Sequence, residues 1–215
     1  MKNKISPSKL KEELNEKSFI LLGEIHGTKE IPLIIKDIIL SLLKTRKINL
    51  FLEVPLVQQK YLYKDNIPFY EYRENSDGRN SKEYLDLIKL FRDKVNLFFI
   101  DPDTIINRDY GMYSNILKFV DKNDGIMIFI AGNAHTSTKP FKWGGEKIYP
   151  AGYFLKKKFK DMAVVQFIPL AGEFFNITLK KIDSNKKIKK NIIIKNGNNY
   201  NYYLKNVSPC SFVNP

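Results

Sequence analysis

The chain contains two histidines, and each one ends a four-residue motif that begins with glycine. His26 ends Gly-Glu-Ile-His, and His135 ends Gly-Asn-Ala-His. Histidine is the side chain whose ordinary pKa, about 6.5, lies nearest neutral pH, and it is also the commonest metal ligand. We therefore predict that both imidazoles face one polar cleft, where they exchange protons or hold a metal ion.

Acidic residues near these motifs suit the same chemistry. Glu24 lies two positions before His26, so in extended backbone both side chains point to the same side, as a base and its carboxylate partner require. Glu53 follows an apolar run, where an unpaired carboxylate would be costly to desolvate. We expect Glu53 to meet a cation, a metal or a hydrogen-bond donor.

Three further residues have both a functional and an ordinary interpretation. Arg79, in Ser-Asp-Gly-Arg-Asn-Ser, carries the planar fork of donors that clamps a carboxylate or an oxyanion, but it could also be an exposed arginine in a turn. Asp101 either joins the site or forms an Asp-Pro-Asp turn. Glu30 either joins the site or is a first-turn helix carboxylate.

Other catalytic signatures are missing from the sequence. It contains no Gly-x-Ser-x-Gly elbow, no phosphate-binding loop and no His-Glu-x-x-His helix. Cys210 is the single cysteine, which excludes an intramolecular disulfide and favours a spectator thiol. The remaining chemistry is activation of water by histidine and glutamate, alone or on one metal ion, or binding of a metal-containing ligand without turnover.

The composition indicates a globular protein. Hydrophobic residues make up 43% of the 215 positions, and 36 Lys and Arg against 23 Asp and Glu give a net charge of +13. The positive charge is diffuse, so we expect no specific nucleic-acid partner. We expect a cytoplasmic location and no membrane span, because no secretion signal is evident and the apolar segment 31–43 is short and contains charges.

Apolar runs that end in polar residues alternate with segments of helical periodicity. The predicted strands are 18–22, 48–52, 96–100, 126–131, 162–168 and 174–179, and the predicted helices are 31–44, 82–91, 109–122 and 151–159. Apolar residues in the stretch 56–80 follow neither helical nor strand spacing. We interpret this stretch as a short helix and an irregular segment that could form a lid.

This alternation predicts an α/β fold, in which a mainly parallel sheet is flanked by helices on both faces and carries a C-terminal antiparallel addition. We expect a single α/β domain over 1–180 and a polar C-terminal extension over 181–215, which shows little pattern. Ligands of such sheets bind beyond the carboxyl ends of the strands, so the candidate residues of four strands should meet at one edge.

Three segments resemble the erythromycin esterase/ChaN-like superfamily, which also includes Tiki- and TraB-like proteins. They are Leu-Leu-Gly-Glu-Ile-His-Gly-Thr-Lys-Glu-Ile-Pro, Asp-Gly-Arg-Asn-Ser and Gly-Asn-Ala-His, and the resemblance spans about residues 18–170. Members are described as macrolide-lactone esterases, metal-dependent proteases and haem-binding proteins. The resemblance implies the following roles: His26 as water-activating base or first metal ligand, Glu24 as its partner, Glu53 as second carboxylate, Arg79 as anion clamp and His135 as second histidine.

Two functional hypotheses follow from the residues and the resemblance. The first is a hydrolase of the esterase or amidase type that acts on a small-molecule or peptide substrate. In it His26 and Glu24 deprotonate water, Arg79 and loop amides hold the oxyanion, and His135 protonates the leaving group. A divalent metal held by His26, His135 and Glu24 could assist. The alternative is a haem- or metal-binding protein of the ChaN type without turnover.

Overall fold

The computed structural model describes residues 2–71, 76–102, 104, 106–120, 124–186 and 188–213. The described helices are α1 Pro7–Asn15, α2 Glu30–Leu42, α3 Lys82–Phe91, α4 Arg108–Val120, α5 Asn133–Thr136 and α6 Ala151–Lys158. The described strands are β1 Lys2–Ile5, β2 Phe19–Glu24, β3 Ile48–Pro55, β4 Asn96–Asp101, β5 Ile126–Gly132, β6 Phe141–Trp143, β7 Glu146–Ile148, β8 Met162–Pro169, β9 Ala171–Asn176, β10 Thr178–Asp183, β11 Ile192–Asn196 and β12 Asn199–Leu204.

Eight strands form one sheet in the order β1-β11-β12-β8-β2-β5-β3-β4. The run from β12 to β4 is parallel throughout, whereas β11 is antiparallel to both β12 and β1. The predicted α/β class and the mainly parallel sheet with a C-terminal antiparallel addition are therefore confirmed. Because β2, β5, β3 and β4 are parallel neighbours, their carboxyl ends meet at one edge.

Helices cover both faces of the sheet, as predicted. The alternating residues of β2 show this, since Ile20 and Leu22 pack in the apolar cluster that includes α1, α2 and α3, while Phe19 and Leu21 pack in the cluster that includes α4 and α6. Every residue of β2 is buried, which fits a central strand of a sheet covered on both sides. This packing fixes the strand ends that carry the candidate residues.

Several elements differ from the sequence-based expectation. The single strand predicted over 174–179 is instead a hairpin of β9 and β10, which turns at Ile177 with a φ of 61°. The N-terminal elements β1 and α1 had no counterpart in the prediction, and neither had β11 and β12 in the polar tail. The division of the chain at residue 180 stays a prediction, although strands from both sides of it share the central sheet.

The stretch 56–80 contains two short 3-10 helices, Leu56–Tyr61 and Pro68–Tyr70. Residues 72–75 lie outside the described part of the chain, so a lid role for this stretch stays a prediction. Among the described residues, no helix combines the length and the apolar character that crossing a membrane would take.

Candidate active site

Four parallel strands deliver acidic or histidine-bearing segments to the same edge of the sheet. Glu24 and Asp101 are the last residues of β2 and β4, and His135 lies on the one-turn helix α5 directly after β5. Glu53 lies near the end of β3, where the pairing with β4 shifts register between residues 52 and 55. Such an irregularity re-aims side chains, and here the buried Glu53 carboxylate lies among the other candidate groups.

The imidazole of His26 lies between two carboxylates. Its Nδ1 is 2.8 Å from Oε1 of Glu24, and its Nε2 is 3.5 Å from Oε2 of Glu53. Burial by itself would lower the pKa of His26, but the two carboxylates outweigh burial and raise this pKa from 6.5 to about 10. Both facing oxygens accept hydrogen bonds only, so an imidazolium that donates from both nitrogens matches this environment at neutral pH.

His135 has a different environment. Its Nδ1 is 2.8 Å from Oδ1 of Asp109, an oxygen that also accepts the backbone N–H of Ala151 at 2.8 Å. Its Nε2 lies 3.2 Å from Nη1 of Arg108. Because a guanidinium only donates, this contact requires a lone pair on Nε2, and the ring hydrogen therefore lies on Nδ1, towards Asp109. Nε2 is thus the ring nitrogen that faces the arginine and the centre of the cluster.

Glu53 lies at the centre of the cluster. Its Oε1 accepts from Nη2 of Arg108 at 2.7 Å and from Nη1 of Arg79 at 3.2 Å, and its Oε2 accepts from the N–H of Gly132 at 2.8 Å. Nε2 of each histidine is 3.5 Å from one of the two carboxylate oxygens. Burial opposes ionisation, but the hydrogen bond and charge of His26, with the charge of Arg79, hold the pKa of Glu53 well below its usual range.

Asp101 binds both arginines of the cluster. Its Oδ2 is 3.0 Å from Nη1 of Arg79, and its Oδ1 is 2.9 Å from Nε of Arg108. The Nε of Arg79 also lies 2.8 Å from Oδ2 of Asp77. The structure therefore places Arg79 and Asp101 within the cluster, rather than in exposed turns.

Two residues of the cluster were missed by the sequence reasoning, and one weak candidate lies elsewhere. Arg108 and Asp109 begin α4, and Asp109 was noted only as the start of a helix. Their signal was available, because an Arg-Asp pair at a helix start shortly after β4 faces the same edge as the other strand ends. Glu30 instead accepts the backbone N–H of Ser208 at 2.8 Å, which is a structural role.

Two glycines are required by close approaches around the histidines. Gly27 has a φ of 76°, and a Cβ there would lie 1.8 Å from the carbonyl oxygen of Phe175. Its own carbonyl accepts the N–H groups of Phe175 and Cys210 at 3.0 and 2.8 Å. A Cβ on Gly132 would lie 3.0 Å from Nε2 of His26. Gly27, directly after His26, and Gly132, which begins the second motif, thus allow close approaches at the site.

The donor set does not fit a resident metal ion. Among the residues that the structure describes, no group of three or more His, Cys, Asp and Glu side chains is arranged to hold one. The guanidiniums of Arg79 and Arg108 occupy the positions around Glu53 and Asp101 where a cation would bind. The cavity beside His26, whose Nε2 faces Glu53, measures about 10 Å³ and has no room for haem.

Sequence comparison and structure comparison differ in what they find. No family model matches the chain, and no curated protein matches it. Solved structures with the same α/β fold do match.

A Bacillus cereus protein matches with a TM-score of 0.74 and 13% identity, covering 97% of this chain and 94% of that one. The erythromycin esterase EreC, in its open conformation, matches with a TM-score of 0.65 and 10% identity over 97% of this chain and 95% of that one. The haem-binding protein ChaN of Campylobacter jejuni matches with a TM-score of 0.49 and 15% identity over 77% of this chain and 87% of that one.

These identities are low, so the likeness is one of fold. At that level the expected resemblance to erythromycin esterase is confirmed.

Proposed function

We propose that this chain is a hydrolase of the esterase or amidase kind, in which the two histidines activate water and protonate the leaving group. The observation that carries the proposal is the pairing of each imidazole with its own carboxylate at Nδ1, while both Nε2 atoms lie 3.5 Å from the carboxylate of Glu53. The fold shared with an erythromycin esterase supports ester chemistry.

The surroundings favour His135 as the general base. The sequence assigned that role to His26, but His26 holds its proton at neutral pH, whereas Nε2 of His135 carries a lone pair. Asp109 fixes the ring through Nδ1 and stabilises the imidazolium that forms when Nε2 takes a proton from water. His135 and Asp109 therefore replace His26 and Glu24 as the water-activating pair.

The arginines supply the oxyanion stabilisation. When the carbonyl oxygen of a substrate accepts the N–H of Arg108, it replaces Nε2 of His135 as the partner of Nη1. Nε2 is then free to accept the proton of a water molecule. The side chains of Arg108 and Arg79 are 25% and 22% exposed, so both reach the edge of the cluster where a substrate arrives.

All proton transfers of the proposed reaction take place between water, the substrate and residues of the cluster. Water gives one proton to Nε2 of His135, and the hydroxide attacks the carbonyl carbon. The tetrahedral intermediate collapses as the leaving oxygen or nitrogen takes the Nε2 proton of His26. His135 is then protonated and His26 is neutral, and Glu53, 3.5 Å from each Nε2, lies where it can favour return of the proton to His26.

A groove beside the cluster suits the apolar part of a small substrate. It has a volume of about 510 Å³, and Arg108 and Asp109 form one part of its wall while Tyr110, Tyr149 and Phe154 form another. The rings of Tyr110 and Tyr149 are 54% and 40% exposed. This volume lies in the range of pockets for drug-sized ligands, so the groove favours esters or amides with an apolar ring over acetyl esters.

Hydrolysis of a panel of aryl esters, lactones and anilides tests the proposal. The variants His135→Gln and His26→Gln should each lose about 10²- to 10⁴-fold in kcat, which is the usual contribution of a positioned acid or base. The activity of the wild type should fall as the pH rises through about 10, because His26 then loses the proton that it donates. A wild type no faster than His135→Gln on every substrate would sink the proposal.

A further inference from the structure

A small cavity lies beside His26 and Glu24. Its polar lining includes Glu24, Tyr70 and Tyr84, and the apolar side chains of Leu52 and Ile130 also line it. The cavity measures about 10 Å³, which is room for about one water molecule. It therefore has the size of a single-water site.

Three polar atoms that line this cavity are buried without a hydrogen-bond partner among the described residues. They are Oε2 of Glu24 and the hydroxyl oxygens of Tyr70 and Tyr84. Their residues are 4%, 2% and 5% exposed. Buried polar groups are almost always paired, with protein or with ordered water, so three such atoms around one cavity point to a ligand there.

We propose that this cavity binds one water molecule, which joins Glu24 to Tyr70 and Tyr84, and that the two tyrosines are positioning residues for the Glu24–His26 pair. A carboxylate oxygen only accepts, while each hydroxyl can donate. One water can donate to Oε2 of Glu24 and accept from both hydroxyls, so a single molecule satisfies all three atoms. The catalytic consequence rests on the proposed function, whereas the water site itself does not.

The walls of the cavity also determine the charge of its ligand. His26 and Arg79 disfavour a small cation, and Glu24 and Glu53 disfavour a small anion. Water is the neutral molecule of matching size with both donors and acceptors. Burial and the charge of Glu24 raise the pKa of both Tyr70 and Tyr84, and for Tyr84 a close approach of its hydroxyl to Glu24 adds to the shift, so both hydroxyls keep the protons that they donate.

The bound water acts on catalysis through Glu24. Oε1 of Glu24 holds Nδ1 of His26 at 2.8 Å, while Oε2 has no other fixed partner among the described residues. A hydrogen bond from the water to Oε2 fixes the carboxylate plane, and the carboxylate fixes the imidazole. Loss of the tyrosine hydroxyls should therefore loosen His26 without touching the substrate.

A high-resolution crystal structure of the wild type, together with the variants Tyr70→Phe, Tyr84→Phe and Tyr200→Phe, tests this inference. Tyr200 is a matched control, because its buried hydroxyl donates to Glu13 at 2.6 Å, away from the site. We expect one ordered water within hydrogen-bond distance of all three atoms in the wild type. We expect weaker or displaced density in Tyr70→Phe and Tyr84→Phe, and full density in Tyr200→Phe.

Two solution measurements separate positioning from stability. The Nδ1 proton resonance of His26, observed by NMR, should shift or broaden in Tyr84→Phe and stay unchanged in Tyr200→Phe. On the best substrate, kcat of Tyr84→Phe should fall by up to about tenfold, the worth of one hydrogen bond, with KM unchanged. A wild-type cavity without water, or a Tyr84→Phe variant that matches Tyr200→Phe in resonance and kcat, overturns the inference. If water and resonance respond while the wild type hydrolyses nothing, only the proposed function fails.

Discussion

Glu24 and then Glu53 raise the pKa of His26, and Glu53→Gln tests the contribution of the second carboxylate directly. The variant keeps the shape of the side chain but removes the negative charge 3.5 Å from Nε2 of His26. At an effective dielectric constant of about 20, that charge is worth about 5 kcal/mol to the imidazolium, as an upper limit. A neighbouring opposite charge usually changes a pKa by about 1 to 3. We therefore expect the pKa of His26 to fall by about 1 to 3 from its wild-type value of about 10.

The sign of the stability change follows from this pKa. The pKa of His26 is raised from 6.5 to about 10 in the folded chain, so its contribution to stability is complete below 6.5 and is lost as the pH rises towards 10. Removing the carboxylate shrinks that contribution and also leaves Arg79 and Arg108 with one anion fewer. We expect Glu53→Gln to be destabilised at neutral pH by about 3 to 5 kcal/mol, the usual cost of breaking a buried pair.

The assay is a pH titration of the imidazole nitrogens by NMR, together with urea unfolding at pH 6, 8 and 10. Asp101→Asn is the matched control, because Asp101 binds the same two arginines and makes no contact with either histidine among those that the structure describes. The reasoning is refuted if the pKa of His26 stays near 10 in Glu53→Gln, or if it falls equally in Asp101→Asn.

Three further predictions concern other parts of the site. Asp109→Asn should lower kcat by about 10²- to 10⁴-fold with the fold intact by circular dichroism, because His135 loses its carboxylate; activity equal to wild type would contradict the role of the pair. Gly27→Ala should lower Tm, because the φ of 76° at this position and the close carbonyl oxygen of Phe175 would strain an alanine; an unchanged Tm would show that the loop backbone shifts without cost. Tyr110→Ala should raise KM for aryl esters and leave it unchanged for acetyl esters; an equal change for both would count against the groove.

The residues Glu24, His26, Glu53 and His135 were identified from the sequence because their signal is local. Each one directly follows or ends a buried apolar run, and a parallel sheet brings the ends of such runs to one edge. The class of the fold was predictable for the same reason, since alternating periods of strand and helix specify crossover connections. The motifs also indicated the relationship of fold that structure comparison confirms.

The tail and the hairpin were not predictable in this way. β11 and β12 depend on partners in the sheet, and β9 and β10 depend on each other and on the turn at Ile177. Strands with mixed polar and apolar residues carry little periodicity of their own, because only one part of their surface packs on the core. Their positions come from pairing, which is a property of the tertiary structure.

The partners of the candidate residues were likewise decided by the tertiary structure. The sequence contains Arg108 and Asp109 but gives no sign that they meet His135, because that contact depends on α4 lying beside the carboxyl end of β5. The sequence also led to the assignment of His26 as the water-activating base. Protonation depends on how many carboxylates surround an imidazole, and the strand order brings Glu53 to the side of His26 opposite Glu24. The sequence alone determined which groups are present, and the packing of the strands determined which of them meet.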